Sequence, residues 1–173
     1  PTGQSSFHIP ELLAPAGSFD KLTMAIHYGA DAVYLGGQEY SLRARAANFS
    51  EEGLRQAVRY AHDHGVKVYV TVNIFAHNRD LDHLEPYLVL LRDIGADGCI
   101  VSDPGILAIA RTVVPELPLH LSTQANVTNS ASARFWAEQG LNRLNLAREL
   151  GLEEIHAIRA ATGVELEVFV HGA

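Results

Sequence analysis

Cysteine and basic residues are both scarce in this sequence. Cys99 is the one cysteine among 173 residues, so an internal disulfide and a cysteine-rich metal site within this chain are excluded. The chain has 13 Lys and Arg against 20 Asp and Glu, which gives a formal net charge of −7. This balance argues against a broad nucleic-acid surface, which needs clustered positive charge, although a local basic patch is compatible with it.

Long apolar runs and targeting segments are also missing. No run approaches the roughly 20 residues that span a bilayer, and residues 1–10 lack the charged and apolar regions of a signal peptide. We therefore predict a cytoplasmic protein with no membrane partner. The apolar fraction of 47% and the charged fraction of 19% are typical of a globular protein that is long enough for one domain with a substantial core.

Several catalytic motifs are absent. The sequence contains no His-Glu-x-x-His zinc motif, no Gly-x-Ser-x-Gly elbow and no phosphate loop ending in Gly-Lys. A Schiff-base aldolase needs a lysine at a strand end, but Lys21 lies in a predicted helix and Lys67 at the opposite end of a predicted strand. A serine triad could be drawn from Ser122, His171 and Asp103, but nothing in the sequence indicates that these residues touch.

A repeating unit is present instead: a short apolar strand, a polar tip, an amphipathic helix and a glycine. Glycines end five of the predicted helices, and each is expected to provide a left-handed C-terminal cap. These glycines are Gly29, Gly65, Gly95, Gly140 and Gly163. The predicted strands cover residues 11–16, 31–36, 66–73, 98–102, 119–121, 143–147 and 165–170.

This alternation predicts an α/β fold, because successive parallel strands are joined by right-handed helical crossovers. The strands are apolar on both sides, as expected for a sheet covered by helices. Residues 15–18 do not form the Gly-rich phosphate loop of a doubly wound sheet. We therefore predict an incomplete parallel (β/α) TIM-type barrel of about seven strands and six helices, since a full barrel has eight units and about 250 residues. Residues 1–10 are assigned to a lead-in and residues 11–173 to the N-terminal part of the barrel domain.

The candidate site follows from this fold, because a parallel barrel works at the carboxyl ends of its strands. Polar residues at the predicted strand ends should bind a small polar or anionic substrate. The substrate-binding candidates are Arg43, Arg45, Asn73, His77, Asp103, Ser122, Gln124 and Asn126. The catalytic candidates are His171, Arg148 and Glu149. No residue is assigned to a metal.

Most candidates have a structural alternative. Asp103 precedes Pro104 and would equally cap a helix. Arg148 and Glu149 could form an ion pair with each other, although the arginine fork also suits a carboxylate or phosphate ligand. Ser122 could simply end a strand. Gln124 and Asn126 are stronger candidates, because amides are costly to bury without a partner.

Seven short sequences together resemble the collagenase-like family called peptidase family U32. They are ELLAPAGS at 11–18, YGADAVY at 28–34, SLRAR at 41–45, VN at 72–73, SDPG at 102–105, STQAN at 122–126 and REL at 148–150. The pattern Glu167-x-Phe169-x-x-Gly172-Ala173 matches the opening of the family's signature. The resemblance covers nearly the whole chain and is greatest to the branch associated with wobble-uridine hydroxylation of tRNA.

The resemblance implies oxygen-independent RNA hydroxylation with prephenate as the hydroxyl source, or hydroxylation of a quinone precursor in sister branches. It also implies that cysteines beyond Ala173 bind an iron–sulfur cluster in the full-length protein, so we expect no cofactor in this chain. RNA contacts are expected mainly from the full-length protein, and this chain alone is expected to be inactive. Two alternatives are a collagenase-like peptidase and a non-catalytic scaffold that forms homo-oligomers through an open barrel edge.

Overall fold

The computed structural model describes residues 9–42 and 48–171. The candidates Arg43 and Arg45 lie outside these described residues. Seven parallel strands form one sheet in sequential order. They are β1 (Leu13–Pro15), β2 (Ala32–Gly36), β3 (Lys67–Val72), β4 (Gly98–Val101), β5 (Leu119–Leu121), β6 (Arg143–Asn145) and β7 (Glu165–Glu167).

Helices occupy every crossover between these strands. They are α1 (Phe19–His27), α2 (Glu51–Asp63), α3 (Asn78–Leu81), α4 (Leu84–Asp93), α5 (Pro104–Val113), α6 (Ser130–Glu138) and α7 (Leu152–Thr162). The third crossover is divided between α3 and α4, and Pro86 lies in the first turn of α4, where a proline is tolerated because its missing N–H needs no partner. None of the helices in the described ranges is long and apolar enough to cross a membrane.

The sheet curls far enough to bring its distant parts together across the barrel interior. Arg143 on β6 donates a hydrogen bond from Nη1 to Oε1 of Glu11, which precedes β1, at 2.8 Å. Only a strongly curved sheet allows this contact, because β1 and β6 are far apart in the strand order. The structure thus confirms the incomplete parallel barrel predicted from the sequence.

The helix ends follow the predicted glycine pattern. All five glycines have positive φ, namely 87° at Gly29, 72° at Gly65, 82° at Gly95, 81° at Gly140 and 66° at Gly163. In this region a side chain with a Cβ is strained, so glycine ends the helix at low energetic cost. The prediction of five left-handed caps is confirmed.

The main core lies between the sheet and the helices. Val33, Val70, Leu121 and Leu144 are fully buried there, as is Cys99, where burial raises the pKa of the thiol to about 12. The inner face of the sheet holds a smaller apolar group, formed by Ala32, Tyr69 and Ile100 with Leu13 and Tyr34 packed against it. Polar side chains occupy the inner face above and below that group.

Two strands, the sixth and the seventh, end two or more residues earlier than predicted. The sixth ends at Asn145, because the backbone N–H of Ala147 turns away from the sheet and donates to Val127. The seventh ends at Glu167 rather than at residue 170. Val168 and Val170 are exposed, and β6 pairs with β7 only as far as Glu167. The apolar run after Glu167 resembles a strand in sequence but pairs with no strand among the described residues.

Candidate site at the mouth of the barrel

Five polar side chains gather at the carboxyl ends of four strands, and we call them the mouth cluster: Asn73, Ser122, Gln124, Asn145 and Glu167. Asn73 follows β3, Ser122 follows β5, and Asn145 and Glu167 are the last residues of β6 and β7. Asn145 is the register partner of Glu167. Leu121 pairs with Leu144, which places Ser122 beside Asn145.

Hydrogen bonds fix the orientation of the two amides nearest β3 and β5. Asn73 accepts the backbone N–H of Leu42 at Oδ1 over 3.4 Å, so its Nδ2 is the donor to Gln124 Oε1, at 2.7 Å. Ser122 Oγ donates to the same oxygen at 3.1 Å. Gln124 Nε2 is then left buried, with no hydrogen-bond partner in the described structure.

Glu167 is the ionisable member of the mouth cluster. Asn145 Nδ2 donates to its Oε1 at 2.8 Å. Burial raises the pKa of Glu167 to about 7, and the positive charge of Arg143 offsets this shift only in part. The carboxyl group is therefore close to its midpoint at neutral pH. Asn145 Oδ1 is buried and, like Gln124 Nε2, has no partner among the described groups.

A tight turn after β5 places Gln124 in the mouth cluster. Residues Thr123–Ala125 form a single 3₁₀ turn, and Asn126 ends it in the left-handed region at φ 53°. Asparagine tolerates this conformation better than most residues. The side chain of Asn126 is exposed, and its backbone conformation is what returns the chain toward α6.

The opposite end of the barrel holds an ion-pair network that we call the floor: Glu11, Lys67, Tyr69, Arg143 and Glu165. Glu11 accepts hydrogen bonds from Lys67 at 3.0 Å, Tyr69 at 2.9 Å and Arg143 at 2.8 Å. Arg143 also donates to Glu165 at 2.9 Å. These charges are already paired, and this end of a parallel barrel usually serves stability.

A cleft of about 430 Å³ opens beside the floor, away from the mouth cluster. His120 on β5 lines it, with its ring against Tyr69 at a centroid distance of 4.6 Å. Burial lowers the pKa of His120 to about 4, so the imidazole is neutral at physiological pH. We place the candidate site at the mouth cluster, because the cations beside the cleft are held by carboxylates.

Comparison with known proteins agrees with the resemblance seen in the sequence. The profile of Peptidase family U32 matches residues 17–173. The chain belongs to peptidase family U32.

Two curated relatives cover most of this U32 chain. It is 50% identical over 164 residues to tRNA hydroxylation protein P1 of Bacillus subtilis, which includes 95% of this chain and 39% of that protein. It is 47% identical over 165 residues to tRNA hydroxylation protein P of Escherichia coli, with coverages of 95% and 36%. The chain thus spans less than two fifths of the length of these relatives.

A solved structure of a U32 peptidase has the same fold. It aligns with a TM-score of 0.79 at 20% identity, covering 97% of this U32 chain and 71% of the other. At that identity the similarity supports the barrel architecture alone.

Three predicted binding residues of the U32 chain are in direct contact, namely Asn73, Ser122 and Gln124. Asp103 caps α5, because its Oδ1 accepts the backbone N–H of Ile106 at 2.9 Å, and its role in substrate binding stays a prediction. His77 precedes α3 and is exposed. The structure thus brings these candidates to one end of the barrel but joins only the first three.

The three catalytic candidates lie outside the mouth cluster. The guanidinium carbon of Arg148 lies 3.8 Å from the ring centroid of Phe169, and Glu149 and His171 are exposed. Among the described side chains, Arg148 and Glu149 form no ion pair with each other. Their catalytic role stays a prediction.

Neither Asn145 nor Glu167 is among the site residues predicted from the sequence, although Glu167 opens the family signature. A signal for both exists in the sequence, because polar residues occupy every second position of two otherwise apolar strands. Arg143 and Asn145 alternate with Leu144, and Glu165 and Glu167 alternate with Leu166. Such alternation places the polar residues on one face of the strand, which here is the barrel interior.

The described residues do not fit an iron–sulfur cluster. Cys99 lies in the core beneath the helices, and burial strongly disfavours its thiolate, whereas cluster ligands are thiolates. Within residues 9–42 and 48–171 no group of three or more His, Cys, Asp or Glu is placed to hold a metal ion. The cluster implied by the resemblance therefore has no ligand set in this part of the chain.

Proposed function

We propose that this chain is the barrel part of an RNA-hydroxylating protein that acts on tRNA uridine. In this proposal the mouth cluster binds the target base or the small polar hydroxyl donor, for which prephenate is our candidate. The relatives named as tRNA hydroxylation proteins support the reaction class. The observation that carries the role of this chain is the convergence of polar groups with unused hydrogen-bonding capacity on the mouth.

Unused capacity at two buried amides favours ligand binding over a purely structural role. Gln124 Nε2 offers a donor and Asn145 Oδ1 offers an acceptor, and neither has a partner in the described structure. A buried polar group without a partner costs about 1–3 kcal/mol. A ligand that reorients these amides and bonds to them recovers that free energy, so the mouth cluster suits a planar, amide-like molecule such as a nucleobase.

The charge of the chain limits what it contributes to RNA binding. A formal net charge of −7 repels the phosphate backbone, so we assign the main RNA contacts to parts of the protein outside this chain. An iron–sulfur cluster, if the protein uses one, is likewise assigned to that remainder. Because tRNA is the proposed substrate, we infer a cytoplasmic protein.

The peptidase alternative is less well supported by the geometry. Ser122 Oγ donates its hydrogen bond to Gln124 Oε1, and no described histidine is bonded to Ser122. A serine nucleophile needs an adjacent base within hydrogen-bond reach. The arrangement therefore favours a binding role for Ser122.

Nucleoside analysis tests the proposal directly. We would delete the gene, restore it with the full-length wild type or with variants, and quantify 5-hydroxyuridine-type nucleosides in tRNA by mass spectrometry. Deletion should abolish them and the wild type should restore them. Gln124→Ala should lower them about tenfold or more, whereas Gln56→Ala on the exposed face of α2 should not.

Two results would contradict the proposed function. One is an unchanged nucleoside profile in the deletion strain. The other is cleavage of casein or collagen by the purified full-length protein that disappears in Ser122→Ala, which would establish the peptidase alternative.

A further inference from the structure

We propose that Glu167 is the proton-transfer residue of the mouth cluster and that Asn145 is its positioning residue. This inference rests on the proposed function, because it assigns a role within the same site. It concerns two residues that lie next to each other on β6 and β7 and that face the barrel interior.

The two oxygens of Glu167 have different surroundings. Oε1 accepts the hydrogen bond from Asn145 Nδ2 at 2.8 Å, which fixes the plane of the carboxyl group. Oε2 has no hydrogen bond to a described residue, and it is not fully buried. One oxygen is therefore held while the other is left for a ligand.

The charges around Glu167 do not form an ion pair with it. Arg143 on β6 attracts its negative charge, and Glu11 before β1 repels it. Arg143 is already bonded to Glu11 and Glu165, and Lys67 to Glu11. His120 on β5 is neutral. Burial thus dominates and holds the pKa of Glu167 at about 7, a value that suits a group that both accepts and donates a proton.

The step assigned to Glu167 is a single proton transfer. The carboxylate accepts a proton from the bound ligand at Oε2 and becomes a carboxylic acid, and it later releases that proton to water. The oxidation state of the ligand does not change in this step. When the hydroxyl donor transfers its OH group and keeps the electron pair of the broken bond, the ring hydrogen that is replaced leaves as one proton, and accepting that proton is the task assigned to Glu167.

A titration tests the electrostatic part without requiring activity. The chain labelled with ¹³C at its glutamate carboxyls would be titrated by NMR, and the Glu167 signal identified by its absence in Glu167→Gln. We expect a midpoint near pH 7 that moves in Asn145→Ala. A midpoint near 4.5, the ordinary value of a glutamate, would overturn the proposal.

Rates measured with the full-length protein test the chemical part. Glu167→Gln should lower kcat about a hundredfold or more, within the range for general acid–base residues, with little change in KM and loss of the pH dependence near 7. Asn145→Ala should shift that pH dependence and should lower kcat less than Glu167→Gln does. Glu167→Asp keeps a carboxyl group and should therefore retain part of the wild-type kcat. Glu153→Gln, an exposed change on α7, should match the wild type.

The outcomes separate the two proposals. If the wild type hydroxylates tRNA and Glu167→Gln, with a melting temperature like that of the wild type, keeps its rate and pH profile, the role of Glu167 is refuted. If the correctly folded wild type does not alter tRNA nucleosides at all, the proposed function itself is wrong, and the proton-transfer role falls with it even where the titration midpoint lies near 7.

Discussion

Two glutamates inside the same barrel have opposite pKa shifts. For Glu11, burial would raise the pKa, but hydrogen bonds from Lys67, Tyr69 and Arg143 outweigh it and lower the value. For Glu167, burial dominates and the pKa rises to about 7. The difference arises from partners, since Glu11 bonds to cations and Glu167 to a neutral amide. Such a separation of pKa values is common where carboxyls have different tasks.

Glu167 should make stability depend on pH. Its pKa is about 7 in the folded chain, against the ordinary value of 4.5, so the folded state binds more protons between these values. The free energy of unfolding should therefore fall as pH rises from about 4.5 to about 7 and level off above. Glu167→Gln removes this pH-dependent loss. We therefore compare the free energy of unfolding of the variant with that of the wild type at each pH. The difference should favour the variant by on the order of 2 to 3 kcal/mol more at pH 8 than at pH 4.

Urea denaturation at a series of pH values measures this effect. Glu11→Gln is the matched comparison, because its carboxylate has a lowered pKa and its stabilising contribution should be present at neutral pH and fade as the solution is acidified. Parallel pH profiles for wild type and Glu167→Gln would show that the carboxyl of Glu167 titrates normally in the folded chain.

At the scale of single elements, Asp103 has a structural role as the N-terminal cap of α5. Its Oδ1 accepts the N–H of Ile106, and Pro104 occupies the first helical position. A free N–H in the first turn needs an acceptor. The side chain of Asp103 is also a candidate for substrate binding, but its capping bond forms without a substrate.

Substitution of Asp103 should therefore act on stability. Asp103→Ala removes the cap acceptor, and we expect it to lower the free energy of unfolding by about 1 kcal/mol. Asp103→Ser keeps an acceptor at the same position and should retain most of the stability. Thermal or urea unfolding measures both variants. Equal losses in the two would show that the cap bond contributes nothing.

The barrel has two ends with different roles. The floor connects distant strands through ion pairs, and the mouth cluster is the proposed site of the reaction. Arg143 connects the first and last parts of the barrel through Glu11 and Glu165. Its side chain is 11% exposed, whereas that of Glu165 is 67% exposed. Most of the stabilisation should therefore come from the bond to Glu11, because an exposed partner is screened by solvent.

Loss of Arg143 should open the barrel. Arg143→Met leaves Glu11 without its cation from β6, and breaking a largely buried pair costs about 3–5 kcal/mol. We expect a loss near the lower end of that range in urea denaturation. Arg159→Met on the exposed face of α7 should change stability by less than about 0.5 kcal/mol.

A double variant identifies the cause of that loss. Glu11→Gln with Arg143→Met should cost less than the sum of the single changes, because the two side chains share one interaction. Additive losses would mean that the pair does not hold the ends of the sheet together.

Local sequence patterns were sufficient to predict the fold. Glycines such as Gly65 and Gly163 mark helix ends through their own backbone conformation, and the alternation of strand and helix then implies parallel crossovers. Because carboxyl ends of parallel strands meet at one rim, the sequence also predicted that Asn73, Ser122 and Gln124 lie at the same end of the barrel, together with the other candidates. Each inference depends on a few adjacent residues or on a general rule of topology.

The sequence by itself thus determined the elements, their order and the rim that carries the candidate site. Only the tertiary structure decided which rim residues touch, that Asp103 caps a helix, and that Glu167 lies half-buried beside Asn145. It also brought Arg143 to Glu11 across the interior. Burial and charge pairing depend on how strongly the sheet curls, and that curvature is set by packing between residues far apart in the chain, which no local pattern encodes.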